Sequence, residues 1–291
     1  MLSRLLIALS LFTGSIFAPC LFSQTNPDWT TPFPPHRMIG NIYYVGSRDL
    51  ASYLIVTSQG DILINSNLST SPAQIRRSVE QLGFRFSDIK ILLISHAHSD
   101  HAGGSAAIKQ MTHAQYMVMD ADVPVVESGG RADFQFGKSP DMYFPPTKVD
   151  GVLHDGSEVR LGDTVLVAHL TPGHTKGCTT WTMKVRDRGQ TYNVVIVGSP
   201  NVLSDYKLVH NTAYPQIASD FEHTFAVLKS LPCDVFLGAH GSYFGLLEKY
   251  PRLKAGGSNP YIDPAGYKAY VAEHEQDFLD DLHKQEKALQ R

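Results

Sequence analysis

Ser95-His96-Ala97-His98-Ser99-Asp100-His101-Ala102-Gly103-Gly104 places three histidines and one aspartate within six positions. Imidazole and carboxylate are the ligands zinc takes where no thiolate is offered, and the chain holds no Cys-x-x-Cys pair. One short loop does not easily give four ligands to one tetrahedral ion. It divides instead into His96 and His98 for one ion, and Asp100 and His101 for a second. The run follows Ile89–Ile94, an apolar stretch that reads as a buried strand. Ligands at the end of a rigid element are what an open catalytic metal site requires.

Outward from this run, short apolar stretches alternate with helical periodicities. Ile42–Val45, Tyr53–Val56, Ile62–Ile64, Tyr116–Met119, Val165–Leu170, Val194–Val197 and Val235–Leu237 read as strands. A helix is expected after Ser71, with Pro72 in its first position, Ile75, Val79 and Leu82 on one face and Gly83 at its end. A second is expected from Ser219 to Leu231, opened by a Ser219–Glu222 capping box and striped by Phe221, Phe225 and Leu228. A last helix begins at Asp263-Pro264 and runs past Phe278. From Ser128 to Pro146 the chain is rich in Gly, Pro and aromatics, among them Phe134, Phe136, Tyr143 and Phe144. It reads as a long loop that either covers a substrate or packs on the surface. No break in the pattern divides the chain into two domains.

Four of the expected strands run directly into a candidate site residue. They lead to the 96–101 cluster, to His174 in Thr171-Pro172-Gly173-His174, to Ser199 after Gly198, and to His240 after Gly238-Ala239. Residues at the ends of neighbouring strands meet at one sheet edge. His96 and His98 need a third ligand for a tetrahedral zinc with one open position, and His174 is the natural candidate. Asp100 and His101 lack one partner, which His240 supplies. The other histidines, His36, His113, His154, His169, His210, His223, His274 and His283, do not share this setting and read as structural or solvent-facing.

The 291 residues carry 43% hydrophobic and 18% charged side chains, an ordinary globular balance. The net charge of -3 and the lack of a basic block argue against nucleic acid as a partner. Arg4 followed by the apolar Leu5–Phe17 reads as a signal peptide over residues 1–23, with the folded domain spanning 24–291. That core is too short to span a bilayer, so stable membrane insertion is not expected after its removal. The mature protein is expected to be exported, periplasmic or secreted. An exported Cys178 and Cys233 have access to oxidation, and their pairing stays open.

His-Ala-His-Ser-Asp-His, Thr-Pro-Gly-His-Thr, a strand-end Gly-Ser and Gly-Ala-His together resemble the metallo-beta-lactamase superfamily, over nearly all of the chain from Trp29 onward. The resemblance implies an α/β fold, a four-layer αββα sandwich with two zinc ions per chain at one sheet edge. Many hydrolases of this fold, lactonases among them, have an aspartate at the position of Ser199, where its carboxylate bridges the metals. Serine there, with His101 in the loop, resembles the third subclass of class B beta-lactamases. That implies His96, His98 and His174 on one zinc, and Asp100, His101 and His240 on the other. The activity implied is opening of the beta-lactam ring of antibiotics by a zinc-bound hydroxide, a route to antibiotic resistance. Asp100 would orient the nucleophile. Ser199 and Asn201 would hold the substrate carboxylate, drawn by a site of about +2 charge. The alternative is another dinuclear zinc hydrolase of the same fold, acting on a lactone or thioester. Some members pair a cysteine at the position of Cys233 with one at the start of the last helix; this chain departs from that pattern with Gly266 and Tyr267.

Overall fold

In the computed structural model, which describes residues 26–290, two sheets lie face to face. The proposed signal segment falls outside the described residues. The first sheet runs in chain order: β1 (His36–Ile39), β2 (Ile42–Tyr44), β3 (Tyr53–Thr57), β4 (Gly60–Ile64), β5 (Ile89–Leu93), β6 (Gln115–Met119) and β7 (Gly151–Leu153). It is antiparallel through β4 and parallel from there to β7. The second sheet contains β8 (Glu158–Leu161), β9 (Thr164–Leu170), β10 (Thr179–Asp187), β11 (Gln190–Val197) and β12 (Val235–Gly238), in the order β12-β11-β10-β9-β8. Only its β11–β12 pair is parallel.

Side-chain alternation builds the layers. Tyr53, Ile55, Ile62, Ile64, Ile91 and Leu93 point to the core shared with Leu166, Ala168, Trp181 and Met183 of the second sheet. Their neighbours Leu54, Leu63 and Leu92 point the other way. There they meet Ile75 and Val79 of α1 (Pro72–Gln81) and Ile108, which follows the one-turn α2 (Ser99–Ala102) and belongs to α3 (Ser105–Thr112). A short α4 (Val123–Glu127) follows β6. The outer face of the second sheet is covered by α5 (Ile217–Ser230), through Phe221, Phe225 and Leu228. Beyond it come α6 (Leu246–Ala255) and the long α7 (Pro264–Leu289), whose Phe278 stacks on Phe221 and Phe225. The result is the expected four-layer αββα sandwich.

Every strand expected from the sequence is present. β1, β7, β8, β10 and the first half of β11 were not expected. β10 alternates Thr, Lys and Arg with Trp181, Met183 and Val185, so it lacks an apolar run. Its hairpin to β11 turns at Arg188-Gly189, both with positive φ, the backbone a two-residue turn needs. α5 starts two residues early, and the Ser219–Glu222 capping box does not form. Ser219 lies inside the first turn, and its hydroxyl donates back to Gln216 O at 2.8 Å. Ser71 occupies the cap position of α1 without a side-chain cap bond, whereas Asp263 caps α7 by accepting from Gly266 N at 2.8 Å. The 128–146 segment also divides. Phe144 is buried, Phe134 packs edge-on to Tyr206 and Tyr214, and Tyr143 lies under Arg131. Of these aromatics only Phe136 reaches the histidine cluster, with its ring 5.2 Å from His98. Cys178 and Cys233 are both free thiols.

The turn after β9 is tied to α5. Thr224 donates to Pro172 O at 2.6 Å, and Gly173 has φ +122° with the Phe221 ring against its Cα. A Cβ there would meet that ring at 2.7–2.8 Å. Gly173→Ala should therefore destabilise the zinc-free protein by about 3 kcal/mol, combining overpacking with a disfavoured backbone. Chemical denaturation reads this directly. A loss under about 1 kcal/mol would show that the His174 turn is not held by this contact.

Candidate metal centre

The four strand ends converge as expected. β5 delivers the 96–101 run, β9 the turn bearing His174, β11 Ser199 and β12 His240. Ligand atoms of His96, His98 and His174 lie within 4.8 Å of one another, as do those of His96, Asp100 and His101. His240 joins the second group: its Nε2 is 3.2 Å from His101 Nε2 and 3.5 Å from Asp100 Oδ2. Asp100 Oδ2 is itself 3.2 Å from His101 Nε2. The six side chains form two adjoining clusters, with His96 between them.

The outward nitrogens fix which way the inward ones face. His174 Nδ1 donates to Asn201 O at 2.8 Å, and His240 Nδ1 donates to Asp49 Oδ2 at 2.9 Å. His174, neutral at pH 7, therefore turns a bare Nε2 lone pair toward the centre, and His240 would turn one there once a metal ion replaces its Nε2 proton. Asp49 is held in turn by Ser242 N at 3.0 Å and the Trp29 indole at 3.2 Å. His98 Nε2 and His101 Nδ1 are buried with no hydrogen-bond partner. Asp133 Oδ2 stands 3.8 Å from that His98 nitrogen.

The charge states suit a cation. Burial lowers His96 well below the ordinary histidine range, His98 to about 4 and His174 to about 3. These three are neutral at pH 7, the form that ligates. Burial pushes Asp100 up, but His101 and His240 outweigh it and hold the carboxyl well below its usual range. Burial also opposes charge on His240, yet Asp100 and Asp49 raise it to about 9. A proton there joins the three groups, which face one another within 3.5 Å, at the place where a metal ion would otherwise join them. Neutral imidazoles, one carboxylate and orphaned buried nitrogens are a donor set that fits zinc.

Ser199 and Asn201 meet at a residue the sequence reading missed. Tyr243 Oη is 3.2 Å from Ser199 Oγ and accepts from Asn201 Nδ2 at 2.9 Å. Its ring lies 5.0 Å from His240. Ser199 is 1% exposed, while Asn201 and Tyr243 are half-buried. Asp49, Asp133 and Asp122 were also missed. None sits in a motif with ligand spacing; Asp49, three residues after Gly46 at a turn between strands, and Asp122, three residues after the strand that ends at Met119, had positions that pointed to a sheet edge. The histidines set aside stand elsewhere. His36, for example, is buried between Pro34 O and Tyr261 Oη.

Two adjoining clusters of metal-ligating side chains at the edge of an αββα sandwich define the class. The chain belongs to the metallo-beta-lactamase superfamily, whose model matches residues 48–188. The native FEZ-1 metallo-beta-lactamase of Legionella gormanii is 57% identical, with a TM-score of 0.87 over 88% of this chain and 98% of that one. BJP-1 of Bradyrhizobium japonicum, a subclass B3 enzyme, is 41% identical with a TM-score of 0.85, covering 90% and 98%. The class B3 di-zinc enzyme LRA-12 from an Alaskan soil metagenome is 36% identical with a TM-score of 0.84, covering 88% and 97%. The human mitochondrial persulfide dioxygenase ETHE1 is 23% identical over 155 residues, 53% of this chain. The chain matches about half the length of that curated relative, 48%. The expected likeness to the third subclass is borne out by these neighbours.

Asp49 is expected to matter through His240. Asp49→Ala should weaken zinc at the Asp100–His101–His240 cluster by about 10–100-fold and leave the three-histidine cluster nearly unchanged. Competition with a chelator resolves the two sites. Equal weakening at both, or at neither, would show that Asp49 does not set the His240 tautomer.

Proposed function

We propose that this protein is a zinc-dependent beta-lactamase that binds two zinc ions and opens the ring of beta-lactam antibiotics. The observation that carries it is the pair of clusters, three histidines beside Asp-His-His, with serine rather than a carboxylate at the end of β11. The likeness to beta-lactamases over nearly nine-tenths of the chain supports it. His96, His98 and His174 would hold one ion, and Asp100, His101 and His240 the other. Zinc so held supplies a water acidic enough to attack at neutral pH and a Lewis acid for the lactam carbonyl.

The chain's own residues do the rest. Asp100 stays ionised, so beyond its ligand role it accepts a hydrogen bond from the attacking water and orients it. A substrate carboxylate reaches the polar cluster through Asn201 and Tyr243, the half-exposed members, with Ser199 holding them from behind. Phe136 gives His98 an apolar wall that excludes water from that side. Residues 1–23 would direct export, placing the enzyme in the periplasm or outside the cell. Among the described residues no helix is long and apolar enough to cross a membrane.

Purified protein with zinc should hydrolyse imipenem and nitrocefin and lose the activity to a chelator, with metal analysis giving about two ions per chain. Turnover of an acyl-homoserine lactone with none of either beta-lactam would overturn the assignment in favour of a lactonase. So would two bound zinc ions with no turnover of any substrate.

Ser199 separates these relatives further. Ser199→Asp should keep zinc and lose imipenem hydrolysis, because a carboxylate would compete for open coordination and repel that of the substrate. Ser199→Ala should be milder, at most about one to two decades in kcat/KM. Parent-like kinetics in Ser199→Asp would mean that residue 199 does not set the substrate class.

A further inference from the structure

We propose that Asp122 is a positioning residue for the metal centre, a buried carboxylate that locks the His96–His98 turn to the His174 turn. The inference rests on the metal-site reading above. Asp122 lies between β6 and α4, is 1% exposed, and belongs to neither ligand set. Its Oδ2 accepts from Ala97 N at 2.9 Å and from Thr175 Oγ at 2.9 Å. Its Oδ1 accepts from Gly177 N at 2.9 Å. Ala97 stands between His96 and His98, and Thr175 follows His174. One side chain thus fixes the backbone on both sides of the three-histidine cluster.

Two further facts point the same way. All three partners are donors, so only a carboxylate offers an acceptor to each; an amide of the same shape turns an N–H toward one of them. The approach is also too close for any side chain on residue 177. A Cβ there would meet Asp122 N at 2.6 Å and its Cβ and Cγ at 2.7 Å. The Thr-x-Gly that follows His174 therefore has a physical reason: a hydroxyl to donate, and a bare Cα that lets the carboxylate in.

The bond set also spans the two sheets. The His96–His98 turn leaves β5 of the first sheet, and the His174 turn leaves β9 of the second. Other bonds cross nearby, Thr179 N to Ser95 O at 2.7 Å and Trp181 Nε1 to Ile94 O at 3.1 Å, but they hold the chain before His96. Asp122 acts at the level of the ligands themselves. A buried carboxylate is a costly way to join two loops unless its oxygens are hydrogen-bonded, and burial pushes Asp122 up to about 7 against its three donors. Here each oxygen is used, and the return is the spacing of three imidazoles.

Asp122→Asn and Thr175→Val test this from opposite sides. The measurements are zinc affinity at each cluster, the visible spectrum of the cobalt(II) protein, amide exchange at Ala97 and Gly177 in the zinc-free protein, and its denaturation midpoint. Asp122→Asn should weaken the three-histidine site by about 10–100-fold, the range for groups that orient ligands. The other site should change by less than about threefold on the same grounds. Exchange at both amides should quicken, the cobalt spectrum should shift, and kcat should fall more than KM. Thr175→Val should move each readout the same way by a smaller factor, and it decides the matter if Asp122→Asn does not fold. Parent-like affinity, cobalt spectrum and amide exchange, with only a lower denaturation midpoint, would make Asp122 a structural tie and overturn the proposal. Failure of the parent protein to bind zinc at the three histidines would instead overturn the metal-site reading.

Discussion

The structure turns on the crowding of groups able to ligate a cation. Asp100 Oδ2, His101 Nε2 and His240 Nε2 face one another within 3.5 Å, and a bare lone pair of His174 faces the histidines beside them. Polar groups do not gather in a dry pocket on their own account; each would be better solvated apart. They stay together because two of the rings, and the turns that carry the rest, are fixed from behind. His240 is fixed by Asp49, His174 by Asn201 O, and the turns by short bonds to strands and helices. The scaffold stores the mismatch, and a cation relieves it. The raised His240 is the same statement in protons: without a metal, the cluster takes up the nearest positive charge.

That requirement explains the architecture around it. A strand end is the stiffest place to mount a side chain that still faces solvent, and four strand ends from two sheets converge here. The loops that leave them are short or pinned. Tyr206 donates to His174 O at 2.6 Å, Ser66 N bonds to His101 O at 3.0 Å, and Gly173 lies flat on Phe221. α5 therefore serves the site without touching it. The aromatic layer of Phe221, Phe225 and Phe278 sets the height of the turn that carries His174.

Much of this was legible in the residues, for particular reasons. Metal ligation needs dedicated side chains at fixed spacing, so His96-x-His98-x-Asp100-His101 announced itself. The central strands announced themselves because burial on both faces demands continuous apolar runs. β10 did not, because one side of it is wet and Thr182, Lys184 and Arg186 interrupt the run. The capping box at Ser219 failed because a local pattern competes with packing: burial of Ile217 draws the helix two residues further back. The groups behind the ligands were the least legible. Asp49, Asp122, Asp133 and Tyr243 act through tertiary neighbours 25 to 191 residues away, and no local spacing encodes such a partner. The aromatic loop misled in part, since Phe134 and Phe144 serve the core and only Phe136 faces the site.

The end of β11 shows how one residue separates chemistry within a shared fold. A carboxylate at residue 199 would be one more acceptor among those already crowded together, and a second metal-bound negative charge. Serine instead donates and accepts without charge, and it is absorbed into a neutral cluster with Tyr243 and Asn201. The positive potential of a loaded centre is then offset by Asp100 alone among its ligands, which leaves net attraction for an anionic substrate. Tyr243 stands half-buried at the rim of that cluster, where Asn201 Nδ2 donates to it at 2.9 Å. Under the proposed reading the anionic end of a substrate would need donors there, and the Tyr243 hydroxyl and the second Asn201 amide hydrogen are the groups that would supply them, where an acid at residue 199 would only repel it.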